Sequence, residues 1–189
     1  MAALLFTASC ARSEPKEVLY YPEYQHFDTA KDLFGRATLV LEGRVTEKSR
    51  TAEVGTMAPA DPRDPKQNPL AGAPGNAGKG PKAQPVVVTV HSVQVVKVYK
   101  GHAGVGQEIE VKELGGALDG VSYREVEGPP PLRAGTTYVL FLETYPDAPA
   151  SLLNSSQAKF EVGSSGDLVS RPENDISLSR GELGTLAKN

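Results

Sequence analysis

The chain has 189 residues, a net charge of −3, 39% hydrophobic and 6% aromatic residues, and a single cysteine, Cys10. That length suits one domain with appendages, and the charge argues against recruiting a polyanion by bulk electrostatics. One cysteine excludes an internal disulfide and a structural zinc site built on cysteines, while 19 glycines and 15 prolines favour turns over long helices.

Residues 1–10 read as a partial lipoprotein signal segment. The apolar run Ala2 to Phe6 leads into the small residues Thr7, Ala8 and Ser9, then Cys10, then polar sequence. Small residues before a lone cysteine are the pattern at which a bacterial lipoprotein is cleaved and its cysteine lipidated. The basic n-region is missing and the apolar stretch is short, as expected if the start lies inside a longer signal sequence. The alternative is a frayed N-terminus with an incidental cysteine. Elsewhere nothing approaches the roughly 18 apolar residues of a membrane-spanning helix. Residues 11–24, with Pro15 and Pro22, read as a linker whose Tyr20, Tyr21 and Tyr24 pack on the outside of the domain that follows.

The domain proper is expected over residues 25–170. Asp28 or Thr29 would cap a short helix through AKDLF, with Gly35 ending it. Thr38 to Ser49 alternates as a strand, and Gly43 within it signals a bend or a close backbone approach. Residues 51–85 hold 12 prolines and glycines in 35 positions and no period, so they read as a flexible, disordered loop between two strands. Val86 to Gly101, VVVTVHSVQVVKVYKG, is the richest β-branched run in the chain. Its early valines favour even positions as the core, whereas Val93 and Val95 are odd, so a bulge or sharp coil is expected midway. Gln107 to Leu114 is a half-exposed strand, Val121 to Glu125 a short edge strand, and Thr136 to Glu143 a central strand covered on both faces. Tyr145 to Ser156 reads as a loop, Ala158 to Val162 as a last strand with Phe160 inward, and Asp167 to Ser170 as its hairpin partner. Residues 171–189 read as a poorly ordered tail. Leu178, Leu183 and Leu186 would support only a weak helix there, because Gly181 and Gly184 oppose it.

The fold class expected is all-β: an OB-like five-stranded small barrel with a short N-terminal helix and a long disordered inter-strand loop. The features Gly43, Val98-Tyr99-Lys100-Gly101, Gly115-Gly116, and Gly135 with Tyr138 to Leu142 resemble a group of uncharacterised secreted and lipid-anchored bacterial proteins. More distantly, the pattern is similar to the barrel of the tissue inhibitors of metalloproteinases and netrin modules. The resemblance covers roughly Lys31 to Val162 and rests on strand ends and core positions, so it implies a fold and not an active site. Those inhibitors place a free N-terminal cysteine, braced by disulfides, on the target zinc. This chain has no disulfides, so that mechanism does not carry over.

Residues that carry chemistry are sparse. His26, His91 and His102 lack metal-ligand spacing, and no nucleophile elbow, phosphate loop or dinucleotide fingerprint occurs. GPKAQP and GNAGKG lack the strand-to-helix context of a phosphate loop. Glu108, Glu110 and Glu113 with Lys112 read as a solvated strand face, and His91 as a partly exposed strand histidine. Thr89, His91, Lys97 and Tyr99 share odd positions and form the candidate ligand face. No catalytic residue, metal ligand or cofactor site is expected. The functional expectation is a non-enzymatic extracytoplasmic lipoprotein, anchored to the cell membrane through lipidated Cys10 and serving as a binding or interaction module. Its partner would be an envelope protein or peptidase and not nucleic acid. The alternatives are a secreted form and an inhibitor of an extracellular peptidase acting through barrel loops.

Overall fold

The computed structural model describes residues 16–56 and 85–188. Cys10 and most of the 51–85 insertion lie outside the described residues. In chain order the elements are β1 (Lys16–Tyr20), α1 (Ala30–Arg36), β2 (Leu39–Thr56), β3 (Pro85–Lys100), β4 (Glu108–Leu114), β5 (Gly116–Leu118) and β6 (Val121–Glu125). There follow β7 (Thr137–Tyr145), β8 (Ala148–Leu152), β9 (Lys159–Val162), β10 (Leu168–Val169) and α2 (Arg180–Leu186). The protein is mostly β, with two short helices.

Seven strands form one sheet in the order β10-β9-β7-β2-β3-β4-β8, and β7 also pairs with β8. That extra pairing joins β2, β3, β4, β8 and β7 into a ring of hydrogen-bonded neighbours. Every contact in the ring is antiparallel except β4–β8, which is parallel. A second sheet, β1-β6-β5, lies apart from the ring, with β1 parallel to β6. Lys16 to Tyr20 is therefore a strand and not part of a linker. Its alternating exposed and half-buried residues take their order from the β6 partner.

The two faces of β7 build two cores. Tyr138, Leu140 and Leu142 point into the ring, where they meet Leu41, Val45, Val93, Val95 and Val111. Val139 and Phe141 point outward, against Phe160, Leu33, Ile176 and Leu183. The Phe141 ring packs edge-on to Phe160 and Phe34, with centroids 5.8 and 6.5 Å apart. β7 is thus buried on both faces, as its unbroken apolar run implies.

The helix α1 is capped by Thr29, whose hydroxyl oxygen accepts from the Asp32 amide at 3.1 Å. Gly35 lies inside the helix and does not end it; the C-cap is Ala37. The tail is ordered, contrary to its glycine content. Ile176, Leu178 and Leu183 are buried in the outer core, and Ser179 caps α2. Burial of these side chains outweighs the propensity penalty of Gly181 and Gly184, each about 1 kcal/mol relative to alanine. Gln157 fixes the same region. Its side chain donates to Phe27 O at 2.9 Å and to Asp175 Oδ1 at 2.7 Å, and accepts from Phe27 N at 3.0 Å.

The β2–β3 ladder extends past the expected strand end at Ser49, as far as Thr56 opposite Pro85. The register breaks between Val45 and Ser49 while β3 advances only from Val93 to His91, so the surplus residues sit on β2. The break falls where the change in the valine pattern of β3 predicted it, but its extra residues are on the partner strand. Two further shifts place unmatched residues on β3, at Val96 and Tyr99. Gly43 takes part in close packing: a Cβ there would collide with the Val93 side chain. β3 stops at Gly101, whose φ of +82° suits glycine.

Candidate functional site

Inside the ring, the odd face of β3 carries Val93 and Val95 among apolar neighbours and then changes character at His91. The β3–β4 register sets Val111 opposite His91 and Glu113 opposite Thr89. Val111 and Glu113 share a face, so Glu113 enters the ring beside His91. Lys159 reaches the same point from β9, opposite Leu140 of β7. The three side chains are only 9%, 9% and 4% exposed for His91, Glu113 and Lys159. His91 is therefore buried, and Glu113 is not part of a solvated face.

Lys159 Nζ lies 2.6 Å from Glu113 Oε1 and also donates to Pro130 O at 2.9 Å. Glu113 Oε2 accepts from the Leu132 amide at 2.6 Å. His91 Nε2 approaches the same oxygen at 3.3 Å but off the hydrogen-bond axis, leaving the ring nitrogen without an aligned partner. Burial alone would push the Glu113 carboxyl up; His91, Lys159 and the Leu132 amide together outweigh it and hold the group below its ordinary value. An ionised pair here carries a desolvation cost that only full hydrogen bonding offsets. Both ends of the pair also grip the proline segment that precedes β7.

Glu113 and Lys159 both line a cleft of about 560 Å³. Its walls come from the far end of the β2–β3 hairpin (Val54, Val88), the small sheet (Tyr123, Glu125) and the prolines around Pro130. Glu125 accepts hydrogen bonds from the hydroxyls of Ser155 at 2.9 Å and Tyr24 at 3.2 Å. Burial first, and the Glu125 charge second, push the Tyr24 phenol well above its usual value. Tyr123 stacks on Tyr20, with centroids 6.0 Å apart, and the Tyr20 hydroxyl accepts from Val87 N at 2.9 Å. Tyr20 thus packs against the domain, Tyr24 touches it while staying 37% exposed, and Tyr21 is 76% exposed.

The four residues of the expected ligand face do not stay together. Thr89 lines the cleft, donating to Gly115 O at 2.9 Å, and His91 lies behind it against Glu113. The unmatched Val96 inverts the side-chain alternation, so Lys97 and Tyr99 face away from the ring interior. Lys97 Nζ sits 4.8 Å from the Tyr99 ring centroid. Tyr99 donates to Glu42 Oε2 at 3.2 Å, and Arg180 of α2 binds both Glu42 and the Tyr99 hydroxyl. That second cluster fastens α2 to β2 and β3. Arg180 holds the Glu42 carboxyl below its ordinary value despite partial burial.

Glu113, Glu125 and Lys159 were not anticipated as site residues. For Glu113 a signal existed: Ile109, Val111 and Glu113 alternate on one side of β4. Lys159 offered none, because both faces of β9 are occupied only once the ring and outer core have formed. Among the described residues, no three His, Cys, Asp or Glu side chains gather to hold a metal ion, and no helix is long and apolar enough to cross a membrane. No protein-family model matches the chain, and a search of curated proteins found no match.

Proposed function

We propose that this chain is a non-enzymatic binding module built on an OB-like barrel and held outside the cytoplasm by lipidated Cys10, with the cleft beside Glu113 as its ligand site. The observation that carries the reading is the cleft: a mostly apolar hollow with a few converging polar groups, of the size that encloses a small ligand or a short peptide segment. The barrel is supported by the order of its ring. First, second and third strands are adjacent, and the last strand inserts in parallel beside the third, as in a Greek-key barrel of the OB type. The non-enzymatic part rests on the state of Glu113. Lys159 and the Leu132 amide occupy its two oxygens, which suits a positioning group and not a general base.

The test is an NMR titration of the isotope-labelled full chain with small peptides and sugars. Amide shifts confined to residues 86–89, 113–116 and 123–125 are expected for a ligand seated in the cleft. Shifts confined to other surfaces overturn the assignment. Intact mass of the membrane-extracted protein tests the anchor: a diacylglyceryl adduct on Cys10 is expected, and an unmodified N-terminus in the soluble fraction removes it.

A further inference from the structure

Within the cleft the charges are unevenly committed. Lys159 is used by Glu113 and Pro130 O, and Arg124 is paired with Glu17. Lys112 points its ammonium at the Tyr145 ring, 4.7 Å from the centroid, and Tyr145 is not part of this cleft. Glu125 is different. It is half-buried, and among the described residues its two oxygens accept from the hydroxyls of Ser155 and Tyr24 alone. Among the described residues, no lysine, arginine or histidine forms an ion pair with it. Two neutral donors hold the carboxylate in place and leave its full negative charge facing the cleft.

The same cleft is lined by two tyrosines, Tyr24 and Tyr123, and by the aliphatic side chains of Val54, Val88 and Leu114. An aromatic face attracts a cation, and more strongly where water is excluded. Tyr24 keeps its proton, so its ring offers a quadrupole and its hydroxyl stays a donor to Glu125. Tyr123 is held in one orientation by its stack on Tyr20.

We propose that the cleft binds an alkylammonium group, with the cation at Glu125 between Tyr24 and Tyr123 and its aliphatic stem along the valines, as in a lysine side chain of an extended peptide. This rests on the cleft being a ligand site, and names the class of ligand it takes.

The experiment is calorimetry of the full chain with N-acetylated, C-amidated Ala-Lys-Ala and its norleucine and glutamate counterparts blocked in the same way, so that the lysine side chain carries the one ammonium group, with NMR mapping of each. The lysine peptide is expected to bind about tenfold more tightly than the norleucine peptide. Glu125→Gln, whose single amide oxygen keeps one of the two acceptors that Ser155 and Tyr24 use, is expected to abolish that preference. Tyr24→Phe keeps the ring and should retain most of the binding. Circular dichroism melts check that each variant is folded. Equal or tighter binding of the glutamate or norleucine peptide in the cleft overturns the cation assignment while the binding module stands. An unchanged preference in folded Glu125→Gln also overturns it. An absence of cleft shifts with all three peptides overturns the cation assignment, and an absence with the sugars as well overturns the binding site itself.

Discussion

Val93 and His91 are two residues apart on one face of β3, yet they occupy opposite kinds of interior. Val93 meets Leu41, Val45 and Leu140, and that half of the ring is filled by hydrocarbon. His91 meets Glu113 and, through it, Lys159, the Leu132 amide and the Pro130 carbonyl. Hydrocarbon packing tolerates exchange of one side chain for another of similar volume. A buried ion pair does not tolerate loss of one partner, because the other charge is stranded. The apolar half therefore supplies stability, whereas the ionic half specifies where the proline segment docks.

The largest effect is expected where a charge is stranded. Lys159→Met should lower stability by about 3–5 kcal/mol, measured by urea unfolding. Leu140→Ala, at the neighbouring hydrocarbon position, should cost about 2–5 kcal/mol. The difference between the halves appears in rescue. Adding Glu113→Leu to Lys159→Met should restore about half the loss, limited by the orphaned Leu132 amide and Pro130 carbonyl. A double variant no better than Lys159→Met alone would break the comparison.

Acid sharpens it. The Glu113 carboxyl titrates below its unfolded value of 4.5. Its contribution is therefore complete above that value and is lost as pH falls through the lower folded value. The urea midpoint of the parent protein should fall between about pH 5 and pH 3 more steeply than that of Glu113→Gln. Parallel slopes would mean that Glu113 is not ionised in the fold.

Arg180→Met comes next. Arg180 is one-third exposed and its partner Glu42 is mostly buried, so after allowance for solvent screening the loss should be about 1–2 kcal/mol. It should appear first as faster hydrogen exchange in α2, with the ring amides unchanged. Lys48→Met, at the exposed pair with Glu108, should leave the urea midpoint where it was.

Much of the ring was legible because β2, β3, β4 and β7 carry their partners' demands in their own alternation. β8 was not. Ala148 to Leu152 is short and contains Pro149, and it is a strand because β4 and β7 both pair with it. β1 was hidden for the same reason, flanked by Pro15 and Pro22 and ordered by β6. The tail shows tertiary burial overriding propensity: its leucines were visible, but the outer core that takes them is assembled from distant segments. The site was less legible than the fold. Alternation on a single strand predicts a face, and it set Thr89 and His91 on the same side of β3. It does not foresee that Val96 inverts the face before Lys97, nor that a lysine on β9 meets a glutamate on β4. Those encounters are properties of ring closure.

Arg180 grips a carboxylate 138 residues earlier in the chain, and Gln157 meets His26 across 131. A ribosome makes these partners in order, so the outer surface of β7 and β9, met first by α1, lacks the cover of Ile176, Leu178 and Leu183 until they emerge. Ile176, Leu178 and Leu183, with Leu186 packed against them, shut a core that Phe27 and Leu33 opened. A nascent chain stalled before Asn174 lacks that cover and should be digested by protease where the released chain resists.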